Sequence, residues 1–102
     1  MAILNTALTT TAANIYASSG ASAITTIHLC NYSPTAVTAN IYLVTNGSAA
    51  GPSNIIYSNV SITAYNTLIV YAEKFILSNG DTVRANCSQA NAVTATVSSI
   101  GI

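Results

Sequence analysis

The chain has 102 residues, enough for one domain with its own core, and 51% of them are hydrophobic, which excludes a disordered chain of low hydrophobicity and high charge. Only Glu73, Lys74, Asp81 and Arg84 are formally charged, 4% of residues against a typical value of about 25%, and the net charge is zero. Two cations ten positions apart form no basic patch for nucleic acid, and no apolar run approaches the roughly 20 residues of a membrane helix.

Taken in chain order, the sequence predicts short β-segments separated by turn chemistry. Ile3–Leu8 and Asn14–Ser18 come first, divided by Thr9-Thr10-Thr11. Met1–Asn14 is apolar at Ile3, Leu4 and Leu8, then Thr-rich and uncharged, and reads as an N-terminal interaction arm ordered only against a neighbour. After the Ser19–Ser22 loop, Ala23–Cys30 is a strand in which Ile27 and Leu29 alternate with Thr26 and His28; Asn31-Tyr32-Ser33-Pro34 ends it, because proline fixes φ and lacks a donor.

Ala36–Val44 has the cleanest alternation, with Val37, Ala39, Ile41 and Leu43 on one face and Thr38, Asn40 and Tyr42 on the other. Asn46–Pro52 is a surface loop. In Asn54–Ile62, the set Ile56, Ser58, Val60 and Ile62 is expected inward. Thr67–Leu77 is a long apolar strand, with Glu73-Lys74 marking where it bends or leaves its sheet. Ser78-Asn79-Gly80-Asp81 is a tight turn. Thr82–Cys87 points Val83, Ala85 and Cys87 inward, and Ala92–Ser98 does the same with Val93, Ala95 and Val97. About seven or eight short strands at this spacing predict a single all-β domain over residues 1–102, a compact antiparallel β-sandwich or jelly-roll-like barrel.

The chemistry-bearing residues do not assemble into a catalytic set. His28 is the only histidine, and one face of an alternating strand is the ordinary place for a neutral, hydrogen-bonded imidazole. Glu73 and Asp81 are the only acids; they permit one carboxylate pairing, but a solvated strand end and a turn residue account for them. No calcium or zinc ligand set is present, and neither a catalytic residue nor a cofactor is expected. Cys30 and Cys87 have no CxxC neighbour, and the opening residues lack a basic segment followed by a long apolar one. Synthesis and folding in a cytoplasm are therefore expected, with both thiols reduced and buried. Asn-x-Ser triplets at Asn31, Asn46, Asn59 and Asn86 are what chance gives in a chain this rich in Asn and Ser.

What remains is binding. Folded monomers of this mass expose roughly 5,400 Å², and four charges cannot dress such a surface, so Thr, Ser and Asn must solvate it. Zero net charge leaves little repulsion between copies, which favours coverage by other subunits; a soluble monomer with a Thr/Asn/Ser coat is the alternative. Six tyrosines suit either a protein interface or a glycan-stacking face, and low charge favours the former. The candidate interaction residues are Ile3, Leu4, Leu8, Tyr16, Tyr42 and Tyr57.

Along its whole length the chain also resembles small virion proteins of tailed bacteriophages, especially phages of cyanobacteria and marine bacteria. The similar features are Leu4-Asn5-Thr6-Ala7-Leu8, Asn54-Ile55-Ile56-Tyr57-Ser58-Asn59, Leu77 to Ala85 through Asn79-Gly80-Asp81-Thr82, and Asn91 to Ser98. These are strand-and-turn patterns and carry no site residue across. The resemblance implies a capsid cement (decoration) subunit on the virion surface that contacts the major capsid protein or other virion proteins, or else a small tail, neck or baseplate subunit. A homo-oligomer is expected, and a trimer would suit a three-fold position between capsomers. A carbohydrate-binding module is the reading from a different class.

Overall fold

The structure, a computed structural model, describes residues 2–70 and 75–101. Nine strands run through them: β1 (Ala2–Ala7), β2 (Ala13–Ala17), β3 (Ser22–Asn31), β4 (Val37–Val44), β5 (Ile55–Ile62), β6 (Thr67–Val70), β7 (Phe75–Leu77), β8 (Thr82–Cys87) and β9 (Val93–Gly101). No helix occurs among the described residues. All strand pairs are antiparallel and fall into two sheets, one ordered β1-β9-β3-β6 with β7 also on β3, the other β2-β8-β4-β5.

With β6 and β7 counted as one interrupted strand, this is the strand order of a jelly roll. Only β4 and β5 are consecutive neighbours within the second sheet, while β1 to β2, β2 to β3, β3 to β4, β5 to β6, β7 to β8 and β8 to β9 all cross between sheets. The expected all-β sandwich is therefore what the chain forms, and the described parts of Thr67–Leu77 account for two of the nine strands. Both described parts of that segment lie on β3, so the chain does not change sheets; the register steps from Ile27↔Val70 to Ile24↔Phe75. Glu73-Lys74 lies outside the described residues.

Period-two alternation builds the core. One sheet contributes Ile24, Ile27, Leu29, Val93, Ala95 and Val97; the other contributes Val37, Ala39, Ile41, Val83, Ala85 and Cys87. Small and large residues face each other along the ladders, Ala95 against Leu29 and Ala85 against Ile41, which keeps the two inner surfaces level enough to interlock. The surface is 5318 Å², close to the value for a compact monomer of this size.

The structure departs from the sequence expectations at four places. Leu8 is 2% exposed and belongs to the core, because the chain turns inward as it leaves β1. The segment expected to order only against a neighbour pairs within its own chain, β1 on β9 and β2 on β8. In β5 the inward phase switches: Ile62 is buried as expected, but Ile56 is exposed and Tyr57 packs on the core. Two irregularities in the β4–β5 register cause the switch, and Asn59 adopts a φ of 50° there. Finally, Cys30 is exposed while Cys87 is buried, and both thiols are free. Cys30 shares the outward phase of His28, opposite to Ile27 and Leu29, so it has no place in the core.

Candidate interaction surface

The first sheet ends at β1, whose ladder determines what that edge offers. The Leu8 N–H donates to the Val93 carbonyl at 2.9 Å, continuing the β1–β9 register. Hydrogen-bonded pairs recur every second residue in an antiparallel ladder. Thr6↔Ala95 and Leu4↔Val97 are thus hydrogen-bonded pairs, and Ile3, Asn5 and Ala7 direct their N–H and C=O groups away from β9. Among the described residues no backbone group pairs with them.

The other edges are blunted. The β2 ladder is bulged between Asn14 and Tyr16, β5 has two irregularities, and the opposite edge of the first sheet changes register on β3 between β6 and β7, from Ile27↔Val70 to Ile24↔Phe75. Bulges and similar irregularities are ordinary defences of an edge against pairing with another chain. The six residues of β1, Ala-Ile-Leu-Asn-Thr-Ala, contain no Lys, Pro or Gly and run without a register shift.

The outer face of this sheet continues the same character. Across the strands run the rows Asn5–Thr96–His28–Ile69 and Ile3–Ser98–Thr26. A further row is Ile100–Ala23–Ile76. Ile3 and Ile76 are 71% and 58% exposed. The described strands of the sheet contain no charged residue. The result is a neutral surface of hydroxyls and isolated isoleucines.

The outer face of the second sheet is occupied with its own hydrogen bonds. The Asn59 N–H donates to Asn40 Oδ1 at 2.8 Å, Asn40 Nδ2 donates to Asn86 Oδ1 at 2.8 Å, and Asn86 Nδ2 reaches the Thr10 carbonyl at 3.4 Å. This chain of amides ties β5, β4, β8 and the β1–β2 connection together. Tyr42 lies beside it, half-buried and opposite Arg84.

Of the sequence candidates, Ile3 and Leu4 are exposed on β1, Leu8 is in the core, and Tyr16 and Tyr57 pack against the core. They do not form one patch. Among the described tyrosines the exposed ones are Tyr32 and Tyr65, on neighbouring loops joined by the Tyr65 N–H donating to the Ser33 carbonyl at 3.3 Å. Buried Asn31 holds this end together. Its Nδ2 donates to the Thr35, Ile62 and Thr63 carbonyls, and its Oδ1 accepts from the Ser33 N–H and hydroxyl. Tyr65 has a φ of 57°, a conformation rare for a bulky residue.

At the opposite end, Asp81 is a clasp. Its Oδ1 accepts from the Asn46 N–H at 2.9 Å and its Oδ2 from the Ser78 N–H at 3.0 Å. An open cleft of about 560 Å³ near it, lined by Leu43, Thr45, Ser48, Asn54, Ile55 and Ile56 among others, has no titratable side chain among the described residues of its wall. Among the described residues no three of His, Cys, Asp and Glu converge on a common point. No family model, curated protein or solved structure matches the chain.

Proposed function

We propose that this chain is a structural virion subunit, a capsid cement protein that binds the assembled shell of a tailed phage and stabilises it. The observation that carries the reading is the outer face of the first sheet, whose described residues carry no charge, with Ile3, Ile69, Ile76 and Ile100 exposed on it and β1 open beside it. Such a surface suits close protein contact, because interface cores are depleted in charge. The sequence resemblance to small phage virion proteins supports the same reading.

A ligand that binds only the closed lattice shifts the equilibrium toward that lattice, and many weakly bound copies act together through avidity. Particles lacking the protein should therefore assemble but release DNA at lower temperature than particles containing it. Matched heat-release curves measure this, and a cryo-EM map of the particle gives the location. Identical curves would reject the cement role, and density confined to the tail would replace it with a tail, neck or baseplate subunit. The Tyr32–Tyr65 pair favours a carbohydrate-binding module as the second reading, since exposed aromatic rings stack on sugar faces; glycan-array binding lost in Tyr65→Ala would establish it.

A further inference from the structure

We propose that β1 pairs antiparallel with β1 of a second copy of this chain, across a two-fold axis at Asn5, joining the two first sheets into one continuous sheet. The inference goes beyond the virion reading and does not rest on it. The outward N–H and C=O groups of Ile3, Asn5 and Ala7 match an extended strand as protein partner, because a strand presents donors and acceptors at the same spacing. β1 is the unblunted edge, so it is the one prepared for such a partner.

Three features of the strand fit a copy of itself. With the axis at Asn5, Ile3 faces Ala7 of the second copy, Asn5 faces Asn5, and Ala7 faces Ile3, so every outward backbone group of the six-residue strand is paired. Moving the axis to Leu4 or Thr6 runs outward groups off the end. The side chains also match in this register. Bulky Ile3 lies opposite a small alanine. The Oδ1 of Asn5 already accepts from Thr96 Oγ1 at 2.9 Å, which orients the amide and leaves its Nδ2 as donor to Asn5 of the other copy. Lastly, the described strands of the sheet carry no charge, so juxtaposing two copies brings no like charges together. Six residues of edge pairing make a small contact, so the dimer should be concentration-dependent in solution and reinforced where copies are held side by side.

The experiment uses the full-length chain. Sedimentation equilibrium should show the mass rising from one to two chains with concentration. Ile3→Lys should hold the protein at the monomer mass while its β-rich circular dichroism spectrum and melting temperature stay close to those of the parent, since Ile3 lies outside the core. Register is tested in a Cys30→Ser background. In a hydrogen-bonded pair the Cα atoms are about 5.5 Å apart and the side chains lie slightly beyond an unstrained disulfide, so a cross-linker one carbon longer than a disulfide reads the register. With it Asn5→Cys should give a covalent dimer, whereas Ile3→Cys, four residues from its own copy across the ladder, should not. A parent chain that stays monomeric to its solubility limit overturns the proposal. So does a dimer or trimer that Ile3→Lys leaves intact, or one in which Asn5→Cys fails to cross-link.

Discussion

Asn31 shows how much a single buried amide organises in this fold. It is 0% exposed and uses both its oxygen and its nitrogen, gathering the β3–β4 and β5–β6 connections at one end of the sandwich. Asn31→Ala would leave the buried Ser33 N–H without its partner and take a hydrogen bond from each of the Thr35, Ile62 and Thr63 carbonyls. Stranded buried polar groups cost about 1–3 kcal/mol each, so the variant should lose about 3 kcal/mol, read as a lower urea midpoint with an unchanged slope. The sequence placed Asn31 correctly at the end of a strand, next to Ser33-Pro34, but could not reveal this role. Its partners Ile62 and Thr63 are brought there by strand order, not by anything local. Cys30 is the converse case. The alternation that put Ile27 and Leu29 inward already put Cys30 outward, and only the general tendency of free cysteines to be buried pointed the other way.

At the level of elements, regular alternation was legible and irregularity was not. Strands β3, β4, β8 and β9 follow from period two, because each has one buried and one covered or solvated face. β5 begins as Ile-Ile-Tyr, where either phase can bury an apolar side chain, so its bulges had no signature in hydrophobicity. The conformation at Asn59 is the physical cause of the change in phase, and it is stabilised by the Asn40 side chain accepting the Asn59 N–H. Left-handed backbone costs a β-branched residue roughly 1–2 kcal/mol. Asn59→Val should therefore destabilise by about that amount, whereas Asn59→Gly should stay within a few tenths of a kcal/mol of the parent; chemical denaturation distinguishes the two. The N-terminal segment was legible as apolar, uncharged and available for contact. Its pairing with β9 was not, because β9 lies at the far end of the sequence and no local pattern encodes a partner that distant.

For the whole molecule, the governing quantity is charge per surface area. Four formal charges are spread over 102 residues, and the described strands of the first sheet contain none of them. Coulombic attraction between exposed charges is screened over about 10 Å at 0.1 M salt, so electrostatically driven complexes weaken steeply as salt is added. A surface of hydroxyls, isoleucines and open backbone groups has almost no such contribution to lose. Apolar burial responds in the opposite direction to kosmotropic salts, because sulfate is excluded from protein surface and strengthens association that removes surface from water. Binding of this chain to its partner, whether a second copy or an assembled shell, should therefore change less than about two-fold between low and moderate sodium chloride, an allowance equivalent to roughly 0.4 kcal/mol. Ammonium sulfate at equal ionic strength should tighten it. Sedimentation or particle-binding isotherms in the two salts provide the measurement. A ten-fold loss in sodium chloride would mean that a charged residue lies in the contact, and Asp81→Asn or Arg84→Gln abolishing that loss would move the binding surface off the first sheet.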